Sequence, residues 1–263
     1  MTRAKILRFL SGAILAAALL ATVRPASAAP GGERTSGVRN VVLVHGAWAD
    51  GSSWSKVIPL LRATGLQVVA VQLPLTSLAD DAATVKRALA RVDGPVLLVA
   101  HSYGGVVITE AGSDPKVAGL LYVAAFAPQE GQSALDLALS DPTPVLGELQ
   151  ADPDSFLTIS PLGVRRDFAP DLSVVEQTVL TATQSPTAGG ASLSAPVTSA
   201  AWRNVPCWFV IAARDRVVSP NLQVGFARQM NATTLTLPSG HVAMLSHPFA
   251  VAAFIARAAH DLR

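Results

Sequence analysis

The strongest constraint on this chain is an alternation of short apolar runs with longer stretches of helical spacing. The runs are Asn40 to His45 (NVVLVH), Gln67 to Gln72, Pro95 to Ala100 (PVLLVA), Val117 to Ala124, Cys207 to Ala212 and Thr233 to Leu237. In the first of them, continuous Val and Leu, rather than alternation with polar residues, marks a strand covered on both faces. Between and after them, Trp54 to Thr64 (closed by Gly65), Leu78 to Val92, Ser102 to Ala111, Pro220 to Met230 and Pro248 to His260 carry helical spacing. Strand–helix alternation demands right-handed crossovers between parallel strands. The expectation is an α/β protein with a mostly parallel sheet of about six strands and helices on both faces. Ligands of such sheets sit beyond the carboxyl ends of the strands.

Residues 129–203 break this rhythm and are rich in Pro, Asp, Ser and Thr. A structureless loop of that length is improbable inside a compact domain. The stretch reads instead as a small, mostly helical cap without convincing strands. Leu172 to Thr181 is its clearest helix, opened by Asp171 or Ser173.

The amino terminus belongs to processing rather than to the fold. Arg3, Lys5 and Arg8 precede an apolar run from Leu10 to Val23, and Ala26 and Ala28 supply a small-x-small cleavage pattern. Residues 1–28 read as a secretory signal peptide, 29–39 as a flexible lead-in and 40–263 as the folded domain. The run is short for a bilayer span, so the expectation is an exported protein, periplasmic or secreted, with no stable membrane association after cleavage. The 20 basic residues lose Arg3, Lys5, Arg8 and Arg24 with this segment, leaving 16 against 18 acidic residues. That balance offers nothing for nucleic acid to bind. The single cysteine, Cys207, has no partner for an internal disulfide and lies in an apolar run, where it reads as a packed residue.

Chemistry concentrates at the ends of the runs. PVLLVA leads directly into His101-Ser102-Tyr103-Gly104-Gly105. A nucleophile on a sharp strand-to-helix turn needs small neighbours two residues to either side, and Ala100 and Gly104 meet that need. A serine hydroxyl also needs a base within reach and an acid to orient that base. Asp215 follows the fifth run and His241 the sixth, in the chain order Ser–Asp–His. Competing readings are a surface pairing of Asp215 with Arg214 or Arg216, and a turn-capping role for His241. Oxyanion donors would be the backbone N–H groups of Tyr103 and of Ala47, with Gly46 allowing close approach. Gly46, Trp48 and Met244 are candidate pocket residues; His45 reads as a structural hydrogen-bonder and His101 as packed against neighbouring backbone. No phosphate-binding loop, metal-binding cluster or calcium loop is present in the sequence.

The segments LVHGAWADGSSW, VAHSYGG, YVAAFAPQEG, AARDRVVSP and SGHVAMLSHP together resemble the α/β-hydrolase superfamily. Within it the chain is most similar to the branch of plant methylesterases, hydroxynitrile lyases and related bacterial esterases. The resemblance implies an α/β-hydrolase fold with a Ser102–His241–Asp215 triad and Ala47 and Tyr103 as oxyanion donors. It implies a small-molecule ester substrate, with no cofactor and no metal. Hydroxynitrile lyases of this branch carry Lys after the triad His and Thr in the first-strand loop; here those positions are Val242 and Gly46. Two rival readings remain open at this level. One is cofactor-free perhydrolase or haloperoxidase-like chemistry on the same triad, and the other is a non-catalytic ligand-binding protein on the hydrolase scaffold.

Overall fold

The computed structural model describes residues 37–262; the expected signal peptide and most of the lead-in lie outside them. In chain order the elements are β1 (Asn40–Val44), α1 (Ile58–Ala63), β2 (Gln67–Ala70), α2 (Leu78–Ala90), β3 (Val96–His101), α3 (Gly104–Ala111) and β4 (Val117–Val123). The cap follows with α4 (Ala134–Ser140), β5 (Leu149–Ala151), β6 (Phe156–Ile159), the single turn α5 (Pro161–Gly163), α6 (Val174–Ala182) and β7 (Thr187–Ala188). The chain then returns to the main sheet through β8 (Cys207–Ala212), α7 (Pro220–Gln229), β9 (Thr233–Leu237), α8 (Ala243–Ser246) and α9 (Pro248–Asp261).

Six strands form one sheet in the order β2-β1-β3-β4-β8-β9, and every pairing in it is parallel. From β1 to β2 the chain moves toward one edge, and from β2 through β4 it moves back across. Right-handed crossovers in opposite directions put α1 on one face and α2 and α3 on the other. Helix α1 packs with α9, and α2 with α3. Strands β3 and β8 are buried along their whole lengths. The sheet reverses its winding between β1 and β3, so a crevice opens at their carboxyl ends.

Two local expectations need correction. The helix expected from Trp54 to Thr64 is a 3-10 turn at Gly51–Trp54 followed by the shorter α1. Pro59 sits in the first turn of α1, where its missing N–H leaves no helical bond unmade. In the cap, the expectation of no strand fails: β5, β6 and β7 form a small antiparallel sheet beside the helices. Its strands span two to four residues, too short for a period-two pattern to register, and β7 is distant from β6 in sequence. The expected cap helix is present as α6, with Ser173 as its N-cap in a reciprocal box with Glu176. Among the described residues no helix is long and apolar enough to cross a membrane.

Candidate active site

β3 delivers its chain end, fully buried, into a turn that ends where α3 begins. At that turn Ser102 has φ +55°, a left-handed conformation that costs a non-glycine residue about 1–3 kcal/mol unless its surroundings enforce it. The enforcement is visible in the bonding. Ser102 N–H donates to Val123 O at 3.3 Å, and Ser102 O accepts from Gly105 and Phe126 N–H at 3.0 and 3.2 Å. A Cβ on Gly104 would lie 2.5 Å from His45 O, and one on Gly105 would run onto Phe126 O and within 2.9 Å of Ala125 Cβ. The first-strand loop approaches just as closely, because a Cβ on Gly46 would sit 2.7 Å from Ser102 Cβ.

The loops after β3, β8 and β9 bring Ser102, Asp215 and His241 together, all buried. The Ser102 hydroxyl donates to His241 Nε2 at 2.8 Å, and His241 Nδ1–H donates to Asp215 Oδ2 at 2.9 Å. Asp215 is further held by the N–H groups of Val217 and Val218, both on Oδ1, and by the Gln223 amide on Oδ2 at 2.8 Å. Neither neighbouring arginine takes it: Arg216 pairs with Asp167 of the cap at 2.6 Å, and Arg214 reaches the carbonyl of Pro238. His241 is packed by the Phe168 ring at 5.3 Å and the His101 ring at 4.4 Å. Asp171 accepts from Gly240 N–H rather than capping α6.

Gln223 was not anticipated in the sequence. It is fully buried on α7; its Oε1 accepts from Ala212 N–H at 2.9 Å, and the Nε2 that donates to Asp215 also donates to Val218 O at 2.8 Å. Gln223→Leu would strip Asp215 of one bond and leave Ala212 N–H buried without a partner. A loss of roughly 2–4 kcal/mol in stability is expected from those two defects. Urea melts check this, and an unchanged midpoint would contradict it.

His45 and His101 occupy structural positions. His45 Nε2 accepts from Leu73 N–H at 2.9 Å while Nδ1–H donates to Gly46 O at 2.8 Å; burial holds its pKa below the ordinary value. His101 Nε2–H donates to His241 O at 3.0 Å, and burial, with His241 beside it, holds its pKa well below the ordinary value. Cys207 is packed in β8, and burial pushes its thiol up to about 12.

Ala47 and Tyr103 line the cavity together with Ser102, and their N–H groups donate to no backbone carbonyl among the described residues. The cavity has a volume of about 160 Å³. The cap supplies much of its wall through Leu135, Leu146, Leu149, Leu157 and Leu193, and among the described residues no charged side chain lines it. Of the candidate pocket residues, Trp48 lines the cavity. Gly46 and Met244 do not: Gly46 is pressed against Ser102, and Met244 is wholly buried in α8 within the core. Met244 follows His241 by three residues, but the turn into α8 carries it away from the cavity and into the core.

Beneath Tyr103 lies another buried carboxylate, Asp81, which the sequence does not mark out. Tyr103 OH donates to Asp81 Oδ2 at 2.9 Å and Leu75 N–H to Asp81 Oδ1 at 2.8 Å. Burial, with Asp80 nearby, pushes this carboxyl up to about 6 despite those two bonds. A carboxyl whose pKa rises on folding favours the folded state while protonated. Its contribution is therefore full below the ordinary 3.8 and is lost as pH rises through about 6. Asp81→Asn is expected to flatten the stability curve over that window, checked by thermal melts from pH 4 to 7; an unaltered slope would contradict it.

Comparison with known proteins agrees with this architecture. Residues 41–254 match the model of the "Alpha/beta hydrolase family". "Probable hydrolase R7" of a Phoma species is 29% identical over 236 residues, covering 79% of this chain and 93% of that protein. "Methylesterase 7" of Arabidopsis thaliana is 37% identical over 107 residues, 34% of this chain and 41% of that protein. The crystal structure of "a Novel Pyrethroid Hydrolase from Sphingobium faniae JZ-2" superposes with a TM-score of 0.71 at 23% identity, covering 85% of this chain and 98% of the other. Six parallel strands, the turn at Ser102 and a family match across most of the chain lead to one conclusion: the protein belongs to the α/β hydrolase family.

Proposed function

We propose that the protein is an exported serine esterase that cleaves neutral, apolar carboxylic esters through an acyl-enzyme. The observation that carries this reading is the hydrogen-bonded line Ser102–His241–Asp215 at 2.8 and 2.9 Å, opening on an apolar cavity. Ser102 Oγ attacks the ester carbonyl carbon while His241 Nε2 takes the hydroxyl proton. Asp215 keeps the imidazole in the tautomer that can accept it and stabilises the charge that forms. The carbonyl oxygen becomes an oxyanion between the Ala47 and Tyr103 N–H groups. His241 then protonates the departing alkoxide, and a water deprotonated by the same nitrogen releases the acid and restores Ser102.

The cavity wall supports the substrate class. A carboxylate on the acyl chain would lose its hydration there and meet no cation, a penalty of several kcal/mol. The test is a p-nitrophenyl ester panel from acetate to decanoate, with the hemisuccinate as the charged member. Hydrolysis should rise from acetate to a medium-length chain, and the hemisuccinate should fall about a hundredfold below the neutral ester of equal length. Comparable rates for hemisuccinate and neutral ester would remove the apolar assignment. Export rests on the basic, apolar and small-residue pattern of residues 1–28. Amino-terminal sequencing of protein from the periplasm or medium should begin at Ala29; an intact leader on all of the protein would refute cleavage.

A further inference from the structure

We propose that Asp81 and Thr187 are positioning residues that set the spacing of the two oxyanion donors through a hydrogen-bond circuit closed by the cap; this rests on the esterase reading above. The circuit starts at Tyr103, whose hydroxyl donates to Asp81 Oδ2 at 2.9 Å. Asp81 Oδ1 accepts from Leu75 N–H at 2.8 Å, and Leu75 O accepts from Ala188 N–H at 2.9 Å. Next to Ala188, Thr187 Oγ1 accepts from Trp48 N–H at 3.1 Å. Trp48 is bonded in sequence to Ala47, the second donor. The path therefore leaves one oxyanion residue and returns to the other by way of β7.

Each link lies where water cannot replace it. Asp81, Thr187, Leu75 and Tyr103 are all buried. Two of the backbones it clamps, Trp48 and Leu75, have φ of +58° and +56°. Non-glycine residues hold that conformation only when their surroundings dictate it. Trp48 is tied by its N–H and Leu75 by both its N–H and its carbonyl. Burying an ionisable carboxyl is itself costly, and a neutral hydrogen-bonder would serve packing equally well. An acceptor with two strong oxygens instead holds two donors from separate segments at fixed separation. Oxyanion stabilisation depends on such fixed donors, since a dipole already in place needs no reorganisation when charge develops.

The test uses full-length mature protein carrying Asp81→Asn, Thr187→Val or both. Asn retains the size of Asp81, and Val that of Thr187, so folding is retained and is checked by melting temperature. Each single variant should lose about tenfold in kcat with KM within about twofold, because donor misplacement acts on the transition state and not on ground-state binding. A trifluoromethyl ketone bearing the preferred acyl chain should weaken by the same factor as kcat/KM. The double variant should lose little more than either single one, as expected for links of one circuit. A rise in KM at constant kcat, or losses that multiply, would overturn the proposal.

Backbone amide resonances supply a readout that needs no turnover. Thr187→Val should move the Tyr103 amide, and Asp81→Asn the Ala47 amide, each from the far side of the circuit. Resonances that stay in place overturn the circuit even in an active enzyme. Displaced resonances in a protein without Ser102-dependent turnover support the circuit and overturn only the esterase reading.

Discussion

Ser102→Ala is expected to lower kcat about a millionfold, with melting behaviour close to that of the parent protein. The substitution removes one oxygen atom. Alanine, like serine, carries a Cβ, so the φ of +55° is no harder to hold, and the bonds that enforce the turn all involve backbone groups. What disappears is the oxygen that, in the proposed mechanism, attacks the carbonyl and passes its proton to His241. His241→Ala should cost a similar factor, since the remaining hydroxyl is a poor nucleophile near neutral pH. The pair together should lose little more than either alone, because both act in the same step. Asp215→Asn should lose about four orders of magnitude, since an amide turned to donate toward Nδ1 would put the ring proton on Nε2, where it blocks the serine. Steady-state assays on the best p-nitrophenyl ester, with fluorophosphonate labelling as the titre of active sites, measure all of these. Near-parental turnover in purified Ser102→Ala would sink the assignment.

The sheet and the residues gathered at Ser102 were legible because their signals are local. β3 and β8 are unbroken apolar runs and β9 is a short run of Thr and Leu, and each residue of the proposed triad stands in the few positions after one of them. Fold chemistry and site chemistry therefore coincide in a few peptide segments. The cap was only half legible for the same reason. α6 announces itself through Ser173 and Glu176, whereas β7 is two residues whose partner lies far back in the chain. Supporting residues were hidden in a different way. Asp80 and Asp81 are adjacent acids in the first turn of a helix and look equivalent in sequence. Asp80 is exposed and its N–H donates to the hydroxyl of the N-cap Ser77, while Asp81 is buried beneath Tyr103. Gln223 resembles any polar residue on an amphipathic helix, and its role depends on a loop eight residues earlier folding back over it. Met244 shows the opposite case, in which closeness to His241 in sequence is not closeness to the cavity, because the turn into α8 carries it into the core.

Gly105→Ala should be among the most damaging single substitutions outside the triad, at about 3 kcal/mol or more in stability, for a gain of one methyl group. Alanine is the better helix former, and propensity alone predicts a gain of about 1 kcal/mol at a helical glycine. The two arguments oppose each other, and the contact distances decide between them. The new Cβ would run onto Phe126 O and Ala125 Cβ, and beyond them meet Tyr122 Cδ1 at 3.1 Å. The first of these is a backbone atom in the loop after β4, and Phe126 N–H is itself bonded to Ser102 O. Relief thus requires α3 to move off the sheet or the Phe126 loop to move off Ser102. Either shift disturbs the serine, so the folded fraction should also lose at least tenfold in kcat, since small misplacements of a reacting group are costly. Gly225→Ala is the matched control. Gly225 lies exposed inside α7, where a Cβ meets nothing within 4 Å, so the same change should stabilise by about 0.5–1 kcal/mol. Urea melts of the two variants should move in opposite directions. If both gained stability, the crowding under the nucleophile turn would be no constraint, and the turn's strain would need another source.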